Sequence, residues 1–213
     1  MTTASPNLIM LVGAGGHARA CIDVIEREGR FSIAGLIGTP DEVGSSVLGY
    51  PVVGSDQDLE EWLRRHPRGL VTVGQIKTSQ IRVRLFEQLE RYGRSVPAIV
   101  SPRAYVSAHA SVGEGSIVLH GAVINAGAKV GRNCIVNSMA LIEHDVTIGD
   151  HCHIATGAKI NGGVHVGESV FLGSGCIIRE GVRIHPGGIV GMGALIVSDC
   201  SGLERAANRG VVP

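Results

Sequence analysis

Glu143-His144-Asp145 is the densest knot of titratable groups in the chain. A carboxylate beside an imidazole raises its basicity and can fix its tautomer. Both properties are required of a general base near neutral pH. His144 stands two residues beyond Ile142 and is expected to face outward. Successive residues of a strand point to opposite faces, so contact between His144 and Asp145 demands a corner there. Without one, His144 is an ordinary solvated histidine. Nine residues beyond His144, His153 closes the string Asp150-His151-Cys152-His153. His151 and His153 alternate as metal ligands on one strand face would, but no third ligand stands at a persuasive spacing and no metal is expected.

A second candidate lies near the start. The apolar run Leu8–Val12 enters the loop Gly13-Ala14-Gly15-Gly16-His17. Backbone N–H groups at a helix start suit a diphosphate. The loop departs from GxGxxG in carrying Ala18 where the third glycine falls, a variant the fingerprint permits. The next strand ends Gly35-Leu36-Ile37-Gly38-Thr39, with no acidic residue to grip the ribose of a dinucleotide. A nucleotide diphosphate is therefore the leading expectation here, with a purely structural loop as the alternative and redox chemistry disfavoured.

Two kinds of element must position these groups. In the N-terminal part, strands are expected at Leu8–Val12, Ser32–Ile37 and Leu70–Val73. Helices are expected over RACIDVIER, over Asp56–Arg65 with Ser55 as cap, and over Ser79–Tyr92. This alternation predicts a small parallel α/β sheet, Rossmann-like in character, over residues 1–100. From Val106 every sixth residue is aliphatic, through Val112, Val118, Ile124 and on to Ile196 without interruption. The residue two before each is small or medium, as at Ala104, Ala110, Ser116, Ala122 and Cys134. Such a repeat predicts triangular coils, three hexapeptides to a turn, each strand paired with the strand 18 residues away. The prediction is a left-handed parallel β-helix over residues 101–200, followed by a tail at 201–213. Gly113, Gly131, Gly149 and Gly167 should stack at one corner and are expected to need positive φ. Cys134, Cys152 and Cys176 take inward positions and read as core filling. His109, His120, His165 and His185 read as surface or interface contacts.

Composition bounds the rest. The 213 residues carry 19 basic and 19 acidic side chains, so no net field steers nucleic acid or a membrane surface. With 31 glycines and 3% aromatics, a repetitive β architecture is favoured. No signal peptide or apolar membrane span is evident, and five cysteines without a CxxC pair read as a reduced, cytoplasmic protein.

GAGGHAR followed by coils carrying IEHDVTIGDHCHIATGAKINGGVHVG resembles the sugar O- and N-acyltransferases of the sialic-acid acetyltransferase group. Within it the chain looks most like the N-acetyltransferases of nucleotide-linked 4-amino-4,6-dideoxyhexoses, including the bacillosamine-pathway and perosamine enzymes. The resemblance implies acetyl-CoA as co-substrate, no metal, and a homotrimer with active sites between neighbouring β-helices. It implies that His144 is the catalytic histidine and Asp145 the acid that raises its basicity. It places acetyl-CoA against His153, Ser174 and Met192, and the sugar nucleotide against Gly15, Gly16, His17 and Gly74. Relatives that use UDP- or dTDP-sugars often carry paired aspartates just after the second strand, where Ile37 and Gly38 stand here. A guanine partner therefore leads, with GDP-perosamine as the expected substrate and surface-polysaccharide (O-antigen) synthesis as the setting. The alternatives are a UDP- or dTDP-linked 4-amino sugar, O-acetylation of sialic acid, and a non-catalytic binding β-helix.

Overall fold

A computed structural model describes residues 7–65, 68–76, 78–94 and 98–200. The tail expected at 201–213 lies outside them. The N-terminal unit is a five-stranded sheet of β1 (Leu8–Val12), β2 (Ser32–Gly38), β3 (Ser46–Val47), β4 (Tyr50–Ser55) and β5 (Gly69–Val71), in the order β3-β4-β2-β1-β5. All pairings are parallel except that of β3 with β4. Alternation along β1 sends its side chains into two different cores. Ile9 and Leu11 meet α1 (Gly16–Glu28), whereas Met10 and Val12 meet α2 (Leu59–Arg65) and α3 (Gln80–Arg91). The second helix begins later than the sequence suggests. Ser55 does not cap it; its backbone N–H and hydroxyl both donate to Asp58 Oδ2, at 2.9 Å each.

Two-residue strands then succeed one another every six residues, from Ile99–Val100 to Leu195–Ile196, stacked as in a left-handed parallel β-helix. Parallel pairing thus starts one strand ahead of Val106, with Val100 beside Val118. Partners are 18 residues apart throughout, as for Ile124 with Ile142 and Ile142 with Ile160. Three sheets result. One carries Ile117–Val118, Ile135–Val136 and His153–Ile154 and faces the N-terminal unit. The second carries Val123–Ile124, Leu141–Ile142 and Lys159–Ile160. The third carries Lys129–Val130, Thr147–Ile148 and His165–Val166. The interior is the predicted column of aliphatics with its small companions, Ala122, Ala128, Cys134, Ala140, Cys152 and Ala158 among them, all fully buried. All five cysteines are buried and none is in a disulfide. Among the described residues no helix is long and apolar enough to cross a membrane.

The corner glycines correct one expectation. Gly113, Gly131, Gly149 and Gly167 do stack, but none has positive φ. They are required by close approach instead: a Cβ on Gly149 would lie 2.6 Å from Glu168 N and 2.8 Å from Gly167 C in the coil above. The left-handed residue at this corner falls two positions later, at Gly115, Asn133, His151, Ser169 and Gly187.

The N-terminal unit is seated on the first sheet and its two flanking corners. Ile99, Ile117, Leu119 and Ile135 join the core beneath α1. At one corner Arg82, 1% exposed, donates to the carbonyls of Val71 (2.8 Å), Val73 (2.9 Å) and Asn133 (3.2 Å). At the other, His120 accepts from Ser101 Oγ and donates to Asp23 on α1, both at 2.6 Å. The connectivity is that of a Ser-His-Asp triad, but Ser101 is 1% exposed and no substrate reaches it. The arrangement is a clasp between the two units.

Gly149→Ala is expected to destabilise the protein by about 1–3 kcal/mol, because the added methyl must push two coils apart. A shift of the urea midpoint to lower concentration at unchanged slope would measure it.

Candidate functional site

A cavity of about 770 Å³ opens between the C-terminal ends of the sheet strands and the first face of the β-helix. That volume falls within the ~300–1,000 Å³ common for small-molecule sites. Its floor is the glycine loop Gly13–His17, where β1 gives way to α1. The loop is held by Gly13 N–H donating to Ile37 O at 2.8 Å and by Thr72 Oγ1 donating to Gly13 O at 2.6 Å. Gly15 and Gly16 have no heavy atom within 4 Å of where a Cβ would stand, so both open onto free space. The first turn of α1 contains no acidic residue, and its unpaired N–H groups offer an anion site.

The cavity gathers Gly15, Gly16, His17, Gly74 and His153. His153 donates from Nδ1 to Gln75 O at 2.6 Å, so its Nε2 carries the lone pair and takes a 3.3 Å contact from the Asn137 amide. Phe171 meets the ring edge-on at 5.2 Å. Burial pushes the His153 imidazole down to about 4, with Arg82 adding to the effect. His17 is half-buried, yet its Nε2 is shielded from solvent and has no hydrogen-bond partner within the protein. Burial, then the positive charges of Arg82 and His153, push it down to about 3. Both rings are therefore neutral at physiological pH. Among the described residues no group of three or more His, Cys, Asp or Glu could hold a metal. His151 and His153 do not share a strand face: His151 occupies a corner at φ 60° and pairs with Asn133 at 3.0 Å.

His144 and Asp145 lie elsewhere. They form the corner between the second and third sheets, the edge of the triangle opposite the face on which the N-terminal unit sits. Asp145 has φ 60°, and this left-handed turn supplies the corner that lets two sequence neighbours meet. His144 Nδ1 donates to Asp145 Oδ2 at 3.0 Å, leaving Nε2 with the free lone pair. Their side chains are 67% and 73% exposed. The coils on either side carry glycine at the position of Asp145, Gly127 and Gly163. A carboxylate at a strained position where its stacked neighbours are glycine points to use rather than packing. The imidazole lies over Gly162, where a Cβ would come within 2.7 Å of both Cε1 and Nε2. Ser174 and Met192 lie at the corner between the first and second sheets, one coil apart, with Gly193 N–H donating to Ser174 O at 2.8 Å. Met192 is 79% exposed.

One carboxylate escaped the sequence. β2 does end without an acidic residue, but a short 3-10 turn at Pro40–Glu42 brings Glu42 back over it. Glu42 Oε2 accepts from Thr39 N–H at 2.8 Å and Thr39 Oγ1 at 3.0 Å. A Cβ on Gly38 would lie 2.7 Å from that oxygen. The available signal was Thr39-Pro40-Asp41-Glu42, a capping box with proline in its first turn. Asp56, Ile76, Ile81 and Arg84 also line the cavity without a mark in the sequence.

Burial of two neutral histidines couples stability to pH. Below about 6.5 the unfolded chain takes up protons at His17 and His153 that the native protein refuses. Stability is thus expected to fall as pH drops from about 6.5 towards 4, by up to about 1.4 kcal/mol per pH unit for each ring. Urea midpoints across this range should show the slope, and His17→Gln should flatten it. An unchanged slope in the variant would count against the assignment.

Comparison with known proteins adds the family. Residues 8–89 match the PglD N-terminal domain, and residues 127–162 match the bacterial transferase hexapeptide, six repeats. Among curated proteins none matches by sequence. Among solved structures, the chain is similar to perosamine N-acetyltransferase from Caulobacter crescentus, seen with CoA and GDP-perosamine, at 33% identity over 92% of each chain and a TM-score of 0.84. It is also similar to the acetyltransferase domain of PglB from Neisseria gonorrhoeae, at 29% identity over 92% of this chain and 93% of that one, TM-score 0.83. That domain has also been seen with acetyl coenzyme A. WeeI from Acinetobacter baumannii shares the fold at 24% identity over 90% and 92% of the two chains, TM-score 0.74. With a Rossmann-like glycine loop facing a hexapeptide β-helix, and this agreement over nearly the whole length, the chain belongs to the hexapeptide-repeat sugar acyltransferase family.

Proposed function

We propose that the protein transfers the acetyl group of acetyl-CoA to the C4 amine of a GDP-linked 4-amino-4,6-dideoxy sugar, with GDP-perosamine as the leading substrate. The observation that carries this reading is one continuous cavity that runs from the glycine loop to His153 on the β-helix, a shape suited to a nucleotide diphosphate. The Caulobacter enzyme, 33% identical along 92% of both chains, supports the sugar and the donor.

The neutral amine attacks the thioester carbonyl; the C–N bond forms as the C–S bond breaks. His144 Nε2 takes the amine proton, and CoA leaves as the thiolate, which is protonated in turn. Asp145 holds Nδ1–H and with it the tautomer that leaves Nε2 free to accept. His17 and His153, both neutral, bring no competing positive charge to the amine. Ser174 and Met192 extend from the side of His153 along an exposed corner and are assigned to CoA.

His144 and the cavity stand on opposite sides of one coil, whose packed interior separates them. The base must therefore come from another copy of the chain. The reading is a homotrimer in which the His144–Asp145 corner of one β-helix faces the cavity of its neighbour.

His144→Asn is expected to lower kcat by about 10²–10⁴-fold without loss of the folded oligomer. Gly162→Ala, whose methyl would run first into the imidazole, should lower kcat by up to about 10²-fold through misplacement. Near-wild-type turnover by His144→Asn removes it from the mechanism. Gly15→Trp should fill the cavity and abolish activity by itself. Mixed oligomers of Gly15→Trp and His144→Ala should regain activity, since some sites then pair an intact cavity with an intact histidine. No recovery in verified mixed oligomers sinks the shared site. The substrate is tested by CoA release with GDP-, UDP- and dTDP-linked 4-amino-4,6-dideoxyhexoses and with sialic acid. Activity on sialic acid alone overturns the N-acetyltransferase reading.

A further inference from the structure

Three charged side chains, Glu42, Asp56 and Arg84, line the cavity near the ends of β2 and β4. Asp56 is fixed there by its backbone N–H, which donates to Gly38 O at 3.1 Å. Arg84, reaching over from α3, stands 3.7 Å from Asp56 Oδ2, and the two side chains remain 62% and 41% exposed. Glu42 is held beside them by Thr39, with one carboxylate oxygen committed and Oε1 unpaired by any described residue. All three line the same cavity as the glycine loop.

In a sheet of this kind a diphosphate sits at the start of α1 and its nucleoside extends over the end of the next strand. That strand is β2. The ribose then lies at Gly38 under Glu42, and the base lies beyond it, between Asp56 and Arg84. We propose that Asp56 and Arg84 read the base as guanine, while Glu42 holds the ribose hydroxyls. The inference rests on the nucleotide-sugar reading above.

Guanine presents two donors side by side, N1–H and the 2-amino group, next to the O6 acceptor. A carboxylate accepts both donors at once, and a neighbouring guanidinium donates to O6. Uracil and thymine present one donor between two carbonyl oxygens, so a carboxylate there meets an acceptor. Cytosine offers a single amino donor and leaves one carboxylate oxygen unused. Adenine reverses the order, placing its amino group where guanine has O6, opposite the guanidinium. An exposed ion pair at 3.7 Å has little to lose by opening around a base. The capping box gives Glu42 a fixed orientation before ligand arrives, as a hydroxyl-binding group needs.

The experiment measures calorimetric Kd values of the intact protein for GDP, IDP, UDP, CDP and dTDP, without acetyl-CoA. IDP differs from GDP only in lacking the 2-amino group. GDP is expected to bind about tenfold or more tighter than IDP, the loss of one hydrogen bond to a charged acceptor. Asp56→Asn, a change at an exposed residue, should weaken GDP more than IDP, which gives the carboxylate only N1–H, so that the GDP:IDP ratio collapses towards one. Arg84→Met should weaken GDP and IDP alike, and so should Glu42→Gln. A GDP preference whose GDP:IDP ratio survives in Asp56→Asn overturns the base-reading pair and leaves the GDP-sugar reading standing. Tighter binding of UDP, dTDP or CDP than of GDP by the wild-type protein overturns both.

Discussion

Every inner strand of the β-helix is paired with the strands 18 residues before and after it, and this ladder constrains all else in the molecule. The register leaves one inward position per hexapeptide, which must be aliphatic, and one beside it, which must be no larger than valine. An insertion of a single residue would turn the aliphatic column outward. Chemistry can therefore enter only on outer faces and at corners. At the corners the backbone must turn sharply, and a residue in the left-handed region is the usual means. Most coils spend glycine there. Where Asp145 stands instead, the conformation that turns the chain also brings the carboxylate against His144. The corner makes the pair, and the ladder holds the corner.

The same ladder supplies a flat seat for the N-terminal unit. Seating is specified by more than apolar contact. Arg82 is a buried cation with no carboxylate partner among the described residues, satisfied at three points by carbonyl oxygens from β5, the loop after it and the β-helix. Such a group is costly to bury and fits only one docking geometry. Its position also bears on the site, because its charge lies close enough to His17 and His153 to disfavour their protonation. The docking of the two units and the neutrality of the cavity rings thus share one residue.

The fold was legible because its signal is periodic. An uninterrupted six-residue column of aliphatics admits few structures, and the alternation of strands and helices in the first hundred residues was nearly as plain. Single contacts were less legible. The stack of Gly113, Gly131, Gly149 and Gly167 was visible, but whether a glycine serves φ or closeness depends on the coil above. Glu42 was hidden because a carboxylate four residues past a strand end reaches that end only if a tight turn folds it back. Asp56 follows β4 and Arg84 stands on α3, and nothing local in the sequence joins them. The glycine loop, by contrast, is a contiguous string whose geometry is set by its own residues, and it was readable. So was the His144–Asp145 contact, once a corner was granted.

The separation of the two candidate sites follows from the triangular cross-section. A coil has three faces and three corners, and a domain seated on one face leaves the opposite corner as far away as the section allows. No side-chain rotation carries His144 through an interior packed at the density of Ile142, Ile148, Ile160 and Val166. A single chain offers a cavity without His144, and an exposed His144–Asp145 pair without a cavity. Each half is nonetheless carefully built. Gly162 makes room for the imidazole and the left-handed Asp145 orients it, while the loop after β5 presents Gln75 to His153. Two well-ordered halves that cannot meet within one chain are economical only if a rotation between chains brings them together. The proposed homotrimer would do this with one repeated interface, because in a closed three-fold ring each copy gives its corner to one neighbour and its cavity to the other.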